Sequence, residues 1–267
     1  MTKQEIILAN KECLFPAVFH YYSEPLVLTS AKDQFVWDAD GNQYLDFFGG
    51  ILTVSVGHCN EKVNQAVLNL IRASNPQDEV FVVNFSQTPY LDQDFTSDVN
   101  LLQVALHQVS SRGSTALYDA VVASAVHLRN NPRLTKKVLL VITDGQDNMS
   151  QETLEDAIRK LQPDKGETVY AIGLTDEGLT RAGRNALQDL ATSTGGVAYF
   201  PAGLDEVDTI TRAVARDIRS QYTLAFKPGN RPGKGGYSGI RVEARGPERT
   251  RLIVRTRTGY YPGEATR

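Results

Sequence analysis

Two short segments carry the oxygen-bearing side chains best spaced for chemistry. Gly113-Ser114-Thr115-Ala116-Leu117-Tyr118-Asp119-Ala120 heads a helical pattern, and Val141-Ile142-Thr143-Asp144-Gly145 is an apolar run ending in a turn. In a doubly wound sheet, ligands bind in such loops, just past the carboxyl ends of strands. A hydroxyl from Thr115 and a carboxylate from Asp144 suit a hard cation such as Mg2+, which takes oxygen ligands and keeps several waters. Taken alone, Asp144-Gly145 reads as a turn after a buried strand; its pairing with the first segment favours a site. The histidines add little. His58 has no identified partner carboxylate or nucleophile, and His20, His107 and His127 are too scattered to form a ligand set. Cys13 and Cys59 are far apart and lack the spacing of a zinc site or a disulfide framework.

The elements that must position these residues follow from hydrophobic periodicity. Leu26-Val27-Leu28, Phe35-Val36-Trp37 and Tyr44 to Phe48 flank the turn Asp38-Ala39-Asp40-Gly41, a hairpin signal. Ile51 to Val56 reads as a buried strand. Asn60 caps a helix whose Val63, Ala66, Val67, Leu70 and Ile71 fall at helical spacing. Beyond Ser74-Asn75-Pro76, strands and helices alternate: Val80 to Phe85, Asp98 to Val109, Ala116 to Leu128, Lys137 to Thr143, Thr153 to Leu161, Thr168 to Ile172 and Asn185 to Thr192. Such alternation calls for βαβ crossovers and a parallel sheet. A last helix with Leu204, Val207, Ile210, Val214 and Ile218 inward leads to the runs Tyr222 to Phe226, Gly239 to Ala244 and Leu252 to Arg257, which predict an antiparallel extension. The expected fold is therefore α/β, a doubly wound, mostly parallel sheet with a carboxyl-terminal antiparallel β extension and an amino-terminal β-hairpin segment. Its expected divisions are 1–70, 71–226 and 227–267.

The chain has 267 residues, 41% of them hydrophobic, and a formal net charge of −3. That balance supplies no global field toward nucleic acid or an anionic membrane, and no run approaches the length of a membrane span. Without an apolar leader, the chain is expected in the cytoplasm. The arginines at 241, 245, 249, 251, 255 and 257 make the carboxyl-terminal region locally basic, read as a solvated strand face.

The paired segments resemble the second and third motifs of the metal-ion-dependent adhesion site of von Willebrand factor A-type domains. Asn75-Pro76-Gln77-Asp78-Glu79, Asn84-Phe85-Ser86, Tyr170-Ala171-Ile172-Gly173, Thr194-Gly195-Gly196, Ile218 to Tyr222 and Gly259-Tyr260-Tyr261 narrow the likeness to a bacterial subgroup often found in acidobacteria, over roughly residues 68–263. The resemblance makes Thr115 and Asp144 metal ligands for Mg2+ or Mn2+ and implies a protein-binding module presenting Ser86, Thr115 and Asp144. The family's first motif, Asp-x-Ser-x-Ser, occurs nowhere in this chain. Two serine ligands are thereby lost, and the expected site is weak. Ser114-Thr115-Ala116 also has the look of a phosphate-cradling loop, but Leu117-Tyr118-Asp119-Ala120 fits the A-domain pattern better.

Residues 10–71 resemble something else. Trp37 to Gly41, Tyr44 to Ile51 and Ser55 to Cys59 are similar to the amino-terminal segment of class III pyridoxal-phosphate-dependent aminotransferases, alanine–glyoxylate type. That resemblance implies a piece of a small domain near a substrate entrance; the Schiff-base lysine and phosphate cradle that transamination needs cannot be placed. The chain thus reads as an aminotransferase head joined to an A domain without its first strand. The leading function is a non-enzymatic binding module. The alternatives are an inactive aminotransferase fragment, with pyridoxal phosphate as its cofactor, or a recombinant chimera without evolved function. In the A-domain family the central strand precedes the helix that enters Asn-Pro-Gln-Asp-Glu. Ile51 to Val56 is therefore expected in that slot, with Thr53, Ser55 and Gly57 near the missing motif and Ser55 as a third metal-site candidate.

Overall fold

The computed structural model describes residues 27–32, 34–45, 60–107, 115–131, 136–143, 146–163, 166–174, 179–227, 236–246 and 251–262. The amino-terminal hairpin forms as the turn chemistry requires: β1 (Leu28–Lys32), β2 (Phe35–Asp38) and β3 (Gln43–Leu45) pair antiparallel in that order. Gly41 takes a positive φ of 83° in the β2–β3 turn. The Asp38 carboxylate organises that turn, accepting from the amides of Asp40 and Asn42, from Asn42 Nδ2 and from Tyr44 Oη. These bonds, led by the Asn42 side chain, hold its pKa down to about 2. The turn should accordingly survive acid until the pH falls toward that value.

Helix α1 (Glu61–Ala73) begins where Asn60 Oδ1 accepts from the amides of Lys62 and Val63. After it come β4 (Val80–Phe85) and β5 (Pro89–Thr96), an antiparallel pair, and α2 (Val99–His107). The α/β succession continues through α3 (Leu117–Asn130), β6 (Val138–Thr143), α4 (Leu154–Leu161), β7 (Thr168–Gly173), α5 (Arg181–Thr194), β8 (Ala198–Tyr199) and α6 (Val207–Arg219). Strands β6, β7 and β8 are parallel neighbours. One face of this sheet packs Leu139, Val141, Val169 and Ala171 against α3, α4 and α5; Phe81 and Phe85 of β4 join the same cluster. The other face sets Ile172 and Leu174 against Ala66 of α1 and Val207 of α6, with Val63, Leu140 and Ile142 beside them. The sheet is thus covered on both sides, as a parallel sheet must be.

Three expectations change. Strand β5 stands between the expected strand at 80–85 and helix α2, and it is held by a long-range aromatic cluster: Phe81 and Phe95 lie 4.9 Å apart, and His127 of α3 stacks on Phe95 at 4.8 Å. His127 Nε2 also lies 2.9 Å from Asp94 Oδ1. Tyr222 to Phe226 alternates like a strand but has no ladder partner among the described residues, and its Tyr222, Leu224 and Phe226 side chains are exposed. The extension itself consists of two short antiparallel pairs, β9 (Ser238–Gly239) with β12 (Gly259–Tyr260) and β10 (Ala244–Arg245) with β11 (Arg251–Leu252).

At the amino end of the sheet, Glu167 is fully buried, and among the described residues neither of its carboxylate oxygens receives a hydrogen bond from another residue. Arg129 Nε lies 3.1 Å away but donates to Ala125 O. Burial raises the Glu167 pKa above its ordinary value of 4.5, against the opposing pull of Arg129, Lys137 and Arg257. A raised carboxyl pKa favours folding at low pH: the contribution is complete below 4.5 and is lost as the pH rises through the folded-state value. Chemical denaturation at pH 5 and pH 7 is expected to show wild type gaining stability toward pH 5 relative to Glu167→Gln. Parallel pH dependences in the two proteins would show that Glu167 is already ionised without cost.

Candidate functional site

The carboxyl ends of β4 and β6 and the amino terminus of α3 meet at one end of the sheet. Helix α3 begins at an Ala116 N-cap that has no side chain to offer its free amides. Other segments supply the acceptors. Ala116 N–H donates to Ser86 O, just past β4, at 2.7 Å. Thr115 N–H donates to Asn148 Oδ1 at 2.8 Å, and Asn148 N–H returns a bond to Thr115 O at 3.0 Å. Tyr118 N–H reaches Asp147 Oδ2 at 3.1 Å, and Asp119 N–H reaches Ser150 Oγ at 3.1 Å. Asp119 in turn accepts from the amides of Gln151 and Glu152.

Two chemical consequences follow. A helix amino terminus binds phosphate through free backbone amides. Here the amides of residues 115, 116, 118 and 119 are taken by protein acceptors, so this loop does not fit a phosphate cradle. Asp147 and Asp119 are likewise committed to backbone amides, Asp147 also to the Ser150 hydroxyl. The negative charges of Asp147 and Glu155, after burial as the larger cause, raise the pKa of Tyr118.

Thr115 is half-buried at this junction, and its hydroxyl has no hydrogen bond among the described residues. Ser86, through its carbonyl, bonds the amide of the next residue, Ala116. Asp144 and Ser55, the other metal-site candidates, lie outside the described residues, as do Thr53, Gly57 and His58. Among the described residues no group of three or more His, Cys, Asp or Glu side chains could hold a metal. Sequence reasoning missed Asp147, Asn148 and Ser150. Their only signal was a run of turn-forming Asx and Ser residues after Asp144-Gly145. The same loop meets α5, where Thr180 caps Gly183 N–H and its hydroxyl bonds to Gln146 Oε1.

Removing the Asp147 carboxylate should expose the α3 amino terminus. Asp147→Ala is expected to cost about 1 kcal/mol, the usual loss of a helix cap, readable as a lower midpoint in urea with an unchanged slope. Three of the basic carboxyl-terminal residues have internal partners: Arg255 pairs with Asp217, Arg241 with Glu243, and Arg257 Nη2 donates to Pro163 O. No helix among the described residues is long and apolar enough to cross a membrane.

Comparison with known proteins agrees with both halves of the sequence reading. Residues 55–213, more than half of the chain, match the model of the von Willebrand factor type A domain. The fold is similar to a von Willebrand factor type A protein from Catenulispora acidiphila, with a TM-score of 0.50, 17% identity and coverage of 60% of this chain and 38% of that one. It is also similar to an aerotolerance-related membrane protein from Bacteroides fragilis, with a TM-score of 0.51, 20% identity and coverage of 65% and 94%. A stretch of 59 residues is 51% identical to alanine–glyoxylate aminotransferase 2 of Pongo abelii, and one of the same length is 49% identical to the human protein. Each stretch is 22% of this chain and spans only 12% of the relative.

Proposed function

We infer that this chain, which belongs to the von Willebrand factor type A domain family, is a non-enzymatic protein-binding module whose partner docks on the surface around Ser86, Thr115 and Asp144. The observation that carries this reading is the convergence at the start of α3, where the residue past β4 bonds Ala116 and the loop after β6 bonds Thr115. Thr115 offers one neutral oxygen, and the neighbouring Asp119 and Asp147 carboxylates are engaged elsewhere. A cation there would depend on Asp144, and on Ser55 where the family has its first motif. Mg2+ or Mn2+ is therefore held weakly, keeps several waters and can exchange one of them for an acidic partner side chain. The aminotransferase-like stretch acts as structure in this reading.

The direct test is capture of binding partners by wild type and by Thr115→Arg, with folding of both verified by circular dichroism. A partner held by wild type and lost by the variant is the expected result; equal retention by both would reject this face. Thermal unfolding tests the metal. At a cation concentration equal to its Kd, the folded state gains about 0.4 kcal/mol, a rise in Tm of about 1–2 °C for a domain of this size. Asp144→Ala is expected to abolish the rise. An equal rise in the variant would place the cation elsewhere.

A further inference from the structure

Helix α6 leads into residues 222–226, Tyr-Thr-Leu-Ala-Phe, which form neither helix, turn nor ladder among the described residues. The run is anchored at both ends. Gln221 Nε2 donates to Tyr170 Oη at 3.0 Å, tying its start to β7, and the Phe226 ring stands edge-on to Tyr260 of β12 with centroids 6.4 Å apart. Between these anchors, no hydrogen bond among the described residues reaches the backbone of 222–226. Tyr222, Leu224 and Phe226 are 94%, 72% and 61% exposed. They alternate with Thr223 and Ala225, so in a strand all three share one face. Tyrosine, threonine and phenylalanine are also residues that favour strands. A fixed run of this kind, with an apolar face and unpaired N–H and C=O groups, is a template for another strand.

We propose that residues 222–226 pair with the same residues of a second copy of this chain, as an antiparallel two-stranded interface centred on Leu224. The run is complementary to itself in that register. A two-fold axis at Leu224 sets Leu224 against Leu224 and, on either side, Tyr222 against Phe226. An aliphatic pair thus lies between two aromatic pairs, the cross-strand contacts that stabilise a sheet. Thr223 meets Ala225 on the other face. The run carries no charge and its flanking pair is Gln221 with Lys227, so no like charges oppose each other along it. Two rings and a leucine on each copy bury about 500 Å2, or about 1,000 Å2 in total, the lower limit for a specific interface. Because the patch meets its own copy, the contact closes at two chains. The anchors at Gln221 and Phe226 reduce the ordering that association must impose. An interface of this size gives a weak dimer, with a Kd on the order of 100 μM.

Sedimentation equilibrium of the full chain from micromolar to millimolar concentration tests this. Wild type is expected to pass from monomer to dimer. Leu224→Lys sets two ammonium groups face to face and is expected to raise the Kd at least about tenfold. Leu224 is exposed in the single chain, so the variant should keep the urea midpoint of wild type. Crosslinking reads the register in chains whose Cys13 and Cys59 are replaced by serine. With oxidised glutathione as electron acceptor, Leu224→Cys should join two copies at least about tenfold faster than Thr223→Cys, because Thr223 faces Ala225 and lies too far from its own counterpart for a disulfide. A wild type that stays monomeric overturns the proposal and assigns the run to a different strand, of this chain or of another protein. A dimer that Leu224→Lys does not weaken, or equal crosslinking at 223 and 224, overturns it as well. Failure of the capture experiment above leaves this result unaffected.

Discussion

A single methyl group added at Gly196 is expected to be among the most damaging changes in this protein. Its Cβ would sit 1.9 Å from Val169 O and 2.8 Å from Val169 C, contacts with backbone that no rotamer can relieve. The turn that holds it is fixed at both ends. Gly195, left-handed at φ 88°, closes α5 by donating to the carbonyls of Ala191 and Thr192, and Gly196 N–H donates to Ala191 O. Thr194 Oγ1 then accepts from Val169 N–H, and Ala171 N–H reaches Val197 O. Relieving the clash means moving the start of β7 away from the end of α5, so Gly196→Ala should cost about 3 kcal/mol or more. Gly203 is the control. It has no atom within 4 Å of its own would-be Cβ and an extended φ of −163°, so Gly203→Ala should stay within about 0.5 kcal/mol of wild type. Urea unfolding of both variants decides the matter; similar midpoints would mean that the Gly196 turn yields easily.

The second large effect lies on the opposite face of the same strand. Ile172 is fully buried among Ala66, Leu174 and Val207, where α1, α6 and the sheet meet. Truncation to alanine removes contacts with three elements at once, and close helix packing limits collapse into the void. Ile172→Ala is expected to cost about 2–5 kcal/mol, the range for large aliphatic side chains in closed cores. Ile158→Ala, half-buried at the edge of the other cluster, should cost clearly less. Equal losses at the two positions would argue that the α1–α6 face is loosely packed.

How much of this was legible in the sequence depends on whether the cause was local. Asn60 capped its helix because an Asx side chain two or three residues before free amides is sufficient. The continuous apolar runs of β6 and β7 announced buried parallel strands. Asp38 to Gly41 turned where the residue types required it. Strand β5 did not show itself. Asp92, Gln93 and Asp94 break its apolar pattern, and its anchor is His127, 32 positions beyond Phe95. The opposite error arose at Tyr222 to Phe226, where alternation is present but alternation does not create a ladder partner. At the candidate site, the motifs single out Thr115 and Ser86. They do not show the caps of α3, because Asp147 and Asn148 lie about thirty residues downstream of the amides they serve and local capping rules look only at neighbours.

The hydrogen bonds that tie Ser86 to Ala116 and Thr115 to Asn148 would also set the thermodynamic character of a partner docking as proposed. Loops tied to one another in this way have already given up their conformational freedom when the chain folds. A ligand meets a surface of fixed shape, and little further ordering entropy opposes its docking. Association at this end of the sheet should therefore be selective for contour and fast to form, with small changes in backbone dynamics between the free and bound states.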